Sequence, residues 1–176
     1  MFLQEAISFI RPGVHPDSGT WADIGAGTGL FTLALMQILT EGKVIALDKS
    51  PHALHSIKLL PEVTIEIREG DFNLPIELPP LDGILMANAL HYANDHVYVL
   101  NNVLSALKDK GSFVLVEYDT ETPNVPWVPN PVSLTRFREL CKLVGLTEPE
   151  LINERTSIYQ DGRMYAVVSK RIIRET

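Results

Sequence analysis

Apolar residues along this chain come in short runs separated by glycine, proline and charge, and the runs alternate between two periods. Helical spacing comes first. Leu3, Ile7 and Ile10 share a face with Ala6 beside them, and Arg11-Pro12-Gly13 ends the segment. An apolar run closing at Ile24 predicts a first strand, reached through a loop at His15–Gly19. The stretch Leu30–Leu39 then has the density of apolar residues expected of a buried helix. Lys43–Asp48 predicts a second strand, Pro51–Leu60 a second helix and Val63–Arg68 a third strand. The third strand is apolar only at alternate positions, as expected near a sheet edge. Asn73–Pro80 carries too many prolines for a long helix and reads as a loop. Leu81–Ala87 predicts a fourth strand, and Asp95 caps a helix running through Val97, Leu100, Val103, Leu104 and Leu107. After a turn at Lys108–Gly111, Ser112–Tyr118 predicts a buried fifth strand. Ser133 caps a helix over Leu134–Val144, which Gly145 ends.

Two further strands, Leu146–Thr156 and Met164–Ser169, close the chain. Asp161-Gly162 between them is a hairpin signal. Strands alternating with helices predict an α/β fold, a doubly wound and mostly parallel sheet of seven strands with an antiparallel C-terminal hairpin. With 176 residues, 45% of them hydrophobic, the chain reads as one domain, 1–176, able to bury its own core. The net charge of −7 and the pI of about 5.2 lack the electrostatic footprint of a general nucleic-acid binder. Met1–Glu5 has neither a basic leader nor a long apolar run, so no membrane span is expected, and a cytoplasmic protein is the default. One cysteine, Cys141, permits no internal disulfide, and it lies in the amphipathic segment Phe137–Leu143, where a buried core thiol is expected. His52 and His55 are linked only by helical spacing and read as surface residues, so no metal site is predicted.

The chemistry concentrates at Trp21–Phe31. Three glycines, Gly25, Gly27 and Gly29, stand between the first strand and its helix, in the position of a ligand-binding turn. A dinucleotide fingerprint would read G-x-G-x-x-G with a pyrophosphate over the helix N-terminus. Here the spacing is G-x-G-x-G, and Asp23 precedes the first glycine by two. A carboxylate there repels a pyrophosphate and suits a ligand with a cationic end. S-adenosylmethionine, with an ammonium, a sulfonium and no phosphate, is such a ligand. Asp48 closes strand two at the distance expected of an acid that binds ribose hydroxyls, and it could equally cap the helix after it, as could Ser50. Asp71-Phe72 follows strand three, where a carboxylate can accept from an adenine amino group and a ring can cover the base. His91 follows strand four, where open α/β sheets bind ligands, and neutral imidazole can take a proton near pH 7. Its alternative is a structural histidine bonded to backbone.

The stretch Trp21–Phe31 resembles the first motif of class I S-adenosylmethionine-dependent methyltransferases. The resemblance extends over nearly the whole chain through Asp48, Gly70-Asp71-Phe72, Leu90-His91 and the terminal hairpin. It implies a small, single-domain, bacterial-type member with a Rossmann-like sheet and S-adenosylmethionine as cofactor. The cofactor residues implied are Asp23, Gly25, Ala26, Gly27 and Gly29 at the turn, Asp48 and Lys49 at the ribose, Asp71 and Phe72 at the adenine, and Asn88 at the methionine end. The Asn-Pro-Pro-Tyr pattern of many amino-methylating members is absent. His91 is the candidate base. The acceptor, expected to be a small molecule, is left to the N-terminal helix (1–12, a candidate lid), the strand-four turn and the Pro-rich loop 119–132. His91, Tyr92, Tyr118, Trp127 and Asn130 are the candidate pocket residues, with core-plugging as the alternative role for Trp127. Dimerisation is a further way to close the site. Two other functions fit less of the pattern: a non-catalytic binder of S-adenosylmethionine and a nicotinamide-dependent oxidoreductase.

Overall fold

The computed structural model describes residues 1–58, 60–156 and 162–172. Seven strands form one sheet in the order β3-β2-β1-β4-β5-β7-β6. They are β1 (Ser18–Ile24), β2 (Glu41–Asp48), β3 (Val63–Glu69), β4 (Leu81–Ala87), β5 (Leu107–Asp119), β6 (Glu150–Thr156) and β7 (Arg163–Lys170). The pairs β3·β2, β2·β1, β1·β4 and β4·β5 are parallel, whereas β7 runs antiparallel to both β5 and β6. The expected mixed sheet with its reversed terminal hairpin is therefore present. Of the Asp161-Gly162 turn that suggested it, Asp161 lies outside the described residues.

Helices α1 (Leu3–Ile10) and α2 (Leu30–Ile38) cover one face, packing Ile7, Phe9, Ile10, Phe31 and Leu35 against Trp21, Val114 and Ala166. Helices α3 (His96–Leu104) and α4 (Leu134–Val144) cover the other, with Leu100, Val103, Phe137 and Leu140 against Ile84, Phe113 and Tyr165. Each helix buries the apolar stripe its period predicts. The caps fall where expected. Asp95 accepts from Tyr98 N–H, Ser133 accepts from Arg136 N–H, and Gly145 ends α4 in the left-handed region. Cys141 is fully buried, and burial pushes its thiol up to about 11. In α1, Ala6, Ile7, Phe9 and Ile10 are buried, and none of its residues lines either cavity described below.

Four boundaries differ from expectation. The helix expected over Pro51–Leu60 is a single 3-10 segment, Pro51–Ser56, because Ile57 turns to extended backbone and Pro61 disfavours helix at the residue before it. His52 and His55 are exposed on it. Helix α3 stops at Leu104, not Leu107, where the Arg171 guanidinium takes up the carbonyls of Leu104, Ser105 and Leu107. The turn expected at Lys108–Gly111 is a register shift within β5, with Lys110 at φ +61°. The sixth strand begins at Glu150 because Pro149 has no N–H to donate, and Leu146 makes only an isolated bridge to Arg171. No helix among the described residues is long and apolar enough to cross a membrane.

Candidate active site

Strand order reverses between β1 and β4, so their carboxyl ends diverge and leave a crevice. The turn after β1 builds its floor. Gly25, Gly27 and Gly29 have φ of +76°, +54° and +83°, which side-chain-bearing residues adopt only at a cost. A Cβ on Gly25 would lie 2.6 Å from Ala89 Cβ, so the turn and the segment after β4 touch there. A Cβ on Gly27 would meet nothing within 4 Å, because that residue faces open space. The carboxylate of Asp48 locks the turn: Oδ2 accepts Gly27 N–H at 2.7 Å and Oδ1 accepts Ser50 N–H at 2.8 Å. Asp48 therefore does bond the backbone after β2, while Ser50 makes no side-chain cap.

A cleft of about 620 Å³ opens over this floor. Gly25 and Gly27 line it at one end, Asp48 and Lys49 beside them, Asp71 and Phe72 beyond, and Asn88 at the β4 side. Asp23, Ala26 and Gly29 are not among its walls. Asp23 is 1% exposed beneath the turn, where its Oδ2 accepts from Thr32 Oγ1 at 2.6 Å and ties β1 to α2. Burial raises its carboxyl to about 7, with the Thr32 hydrogen bond opposing and the Asp48 charge adding. Ala26 is buried, and a Cβ on Gly29 would strike Ile57. Asn73 and Asn94 also line the cleft, and neither was suggested by the sequence. The Asn73 amide joins two walls, donating to Asp71 Oδ1 and Tyr92 O and accepting Asn94 N–H at 2.8 Å.

The cleft fits S-adenosylmethionine better than a dinucleotide. The Gly27 N–H that would greet a phosphate already serves a carboxylate, and two carboxylates, Asp48 and Asp71, stand in the walls. Both retain lone pairs for hydroxyl and amino donors. Asn88 supplies a further acceptor. It sits at φ +51°, a conformation asparagine tolerates, and its Oδ1 is buried with no partner among the described residues.

A second cavity, of about 390 Å³, shares Asn88 and Tyr92 as walls with the first. His91, Tyr118 and Trp127 line it, as the sequence suggested, together with Asn124 and Val128, which it did not suggest. His91 is 2% exposed and Glu117, on β5, is fully buried. His91 Nδ1 lies 2.7 Å from Glu117 Oε2, and His91 N–H donates to Glu117 Oε1 at 3.1 Å. A carboxylate can only accept, so Nδ1 carries the proton and Nε2 is left as the basic nitrogen. The ring nitrogen is thus bonded to a buried carboxylate and not to backbone.

Asn130 does not line the cavity. It anchors the loop 119–132, donating from its backbone to His91 O at 3.1 Å and from Nδ2 to Ala93 O at 3.0 Å. His96 Nε2, with the ring's pKa lowered by burial, meets Asn130 O at 3.2 Å, and Tyr165 Oη donates to Val132 O at 2.7 Å. Asn124 and Val128 exchange two backbone hydrogen bonds across the loop tip. Trp127 is 68% exposed and plugs no core.

Known proteins share the family and the fold. The methyltransferase-domain family matches residues 22–115, more than half of the chain. The 2-methyl-6-phytyl-1,4-hydroquinone methyltransferase of Arabidopsis thaliana is 32% identical over 104 residues, 58% of this chain and 30% of its own length. The desmethylxanthohumol 6'-O-methyltransferase of Humulus lupulus is 31% identical over 121 residues, 66% of this chain and 33% of its own. The chain thus spans about a third of these curated relatives. Among solved structures, human N-acetylserotonin methyltransferase superposes with a TM-score of 0.73 at 17% identity, covering 96% of this chain and 52% of that one. An S-adenosylmethionine-dependent methyltransferase of Thermotoga maritima gives 0.74 at 16% identity, covering 97% and 89%.

Proposed function

The chain belongs to the methyltransferase-domain family, and we propose that it moves a methyl group from S-adenosylmethionine to a hydroxyl oxygen of a small molecule, with His91 taking the hydroxyl proton. The observation that carries this reading is the buried His91–Glu117 pair in the wall of a cavity adjoining the cofactor cleft. Relatives named as an O-methyltransferase and a hydroquinone methyltransferase support a hydroxyl-bearing small molecule. Residues 1–176 act as one domain, with the loop 119–132 as a wall of the acceptor site.

S-adenosylmethionine supplies an electrophilic methyl carbon on a cationic sulfur, so that the carbon–sulfur bond breaks as the carbon–oxygen bond forms. The protein's residues do the rest. Asp48 accepts from the ribose hydroxyls and Asp71 from the adenine amino group, while Phe72 covers the ring. Asn88 Oδ1 accepts from the ammonium of the methionine end. Gly27, lacking a side chain, leaves the turn open to the ligand. His91 Nε2 accepts the acceptor's proton as its oxygen attacks, and the Glu117 carboxylate stabilises the imidazolium that results. The loop, pinned at its base, walls the acceptor site beside Asn88 and Tyr92, where acceptor and methyl must lie in line.

A non-catalytic binder would have no need of a second cavity with an oriented imidazole beside the cofactor. The test is incubation with methyl-labelled S-adenosylmethionine and a mixture of small alcohols and phenols. Label recovered as a methyl ether supports the reading. A protein that binds S-adenosylhomocysteine yet transfers no label to any hydroxyl contradicts it.

A further inference from the structure

We propose that the acceptor is an uncharged, flat hydroxy-aromatic molecule that enters with its ring against Trp127. The proposal rests on the methyl-transfer reading above and adds the substrate class.

Three features of the smaller cavity converge. Its walls are largely aromatic: Tyr92, Tyr118 and Trp127 stand with the His91 ring, whose centroid is 4.3 Å from that of Tyr92 and 6.3 Å from that of Tyr118. The Tyr92 and Tyr118 rings are tilted at 52° and 45° to the imidazole, so the cavity is walled by aromatic edges and faces, against which a flat ring makes offset or edge-on contact. Second, no Asp, Glu, Lys or Arg side chain lines it among the described residues. Glu117, behind His91, is fully buried and has both oxygens on His91, so it is not available to pair with a ligand ammonium, and it repels a ligand carboxylate. A charged acceptor would lose hydration there without gaining a partner. Third, Trp127 is 68% exposed on a loop whose base is tied down by Asn130, His96 and Tyr165. The largest apolar side chain in the wall is thus held where a ligand would cover it. A volume of about 390 Å³ accommodates one or two fused rings with small substituents.

In this arrangement the phenolic proton passes to His91 Nε2 while the ring rests on the indole, so Trp127 selects and His91 reacts. Trp127 also reports. The other tryptophan, Trp21, is fully buried and lines neither cavity.

The test uses the full chain loaded with S-adenosylhomocysteine, whose binding is first established by calorimetry. Four probes of matched length follow: para-ethylphenol, para-ethylcyclohexanol (not flat), para-hydroxyphenylacetate (anionic) and tyramine (cationic). Calorimetry gives the affinities, and tryptophan emission gives the contact. The expected result is that para-ethylphenol binds best and perturbs the emission, and that Trp127→Ala weakens it by at least roughly 2- to 12-fold, the equivalent of one aromatic pair. That substitution should weaken para-ethylcyclohexanol less, since it loses apolar contact but no aromatic pair. Equal binding of all four, preference for a charged probe, no binding of the phenol to the loaded protein, or an unchanged phenol preference in Trp127→Ala would each overturn the proposal. Failure to bind S-adenosylhomocysteine would instead overturn the methyl-transfer reading beneath it.

Discussion

Replacing Glu117 by glutamine should disable the base while sparing the cofactor. The substitution is close to isosteric, and the site is fully buried, so the amide must choose between two orientations. In one, its oxygen accepts His91 N–H and its NH2 faces Nδ1. The imidazole then carries its proton on Nε2, and the nitrogen facing the acceptor is no longer basic. In the other, its oxygen accepts Nδ1–H but its NH2 confronts His91 N–H, leaving two buried donors opposed. That conflict costs about 1–3 kcal/mol. The competent tautomer is therefore depleted by roughly 5- to 150-fold. Loss of the negative charge that stabilises the imidazolium adds to this, and together they approach the worth of a positioned base, about 10²–10⁴-fold, or about 2.7–5.4 kcal/mol of barrier. The assay is single-turnover methylation of a phenol with labelled cofactor, accompanied by calorimetry with S-adenosylhomocysteine. Affinity should stay within about twofold, since Glu117 lines neither cavity. Turnover within about threefold of wild type, or a loss matched by lost cofactor affinity, would refute the tautomer argument.

Three other outcomes follow from the same geometry. Asp48→Ala should weaken S-adenosylhomocysteine by about 10- to 150-fold through lost charge-assisted hydrogen bonds, and unchanged affinity by calorimetry would confine Asp48 to holding Gly27 and Ser50. Asp23 has its pKa raised by burial to about 7 against an unfolded value of about 3.9. The folded state thus holds more protons between those limits, so this group's contribution makes stability fall as pH rises from about 4 to about 7 and level off above; Asp23→Asn should remove that component from denaturation curves, and an identical pH dependence in the variant would contradict the assignment. Gly29→Ala should lower the melting temperature more than Gly27→Ala, because both positions have positive φ but only at Gly29 does a Cβ meet Ile57 and Leu54.

The sheet was legible because its signals are local. Apolar runs placed β1 and β2, cap residues placed α3 and α4, and the glycine spacing argued against a dinucleotide, whereas Asp23, expected to face the ligand, lies buried beneath the turn on Thr32. What the sequence concealed depends on contacts between distant segments. Glu117 stands 26 residues from His91, and only β4–β5 pairing brings them together. A signal did exist: Glu117 is a lone carboxylate in the apolar run Phe113–Tyr118, and a charge in a buried strand requires a partner. Asn130 offered no such signal, since lining a cavity and tying a loop call for the same side chain, and the fold of the 119–132 loop decides between them. The helix expected after β2 is cut short: its apolar period was adequate, but the chain extends at Ile57 after the 3-10 segment Pro51–Ser56, and Pro61 disfavours helix at the residue before it.

The most direct test of the account is calorimetric titration of the purified protein with S-adenosylhomocysteine, with NAD as the comparison. The account predicts saturable one-to-one binding of S-adenosylhomocysteine and no heat with NAD, because Asp48 occupies the N–H that a pyrophosphate would need. Saturable binding of NAD with none of S-adenosylhomocysteine would contradict it.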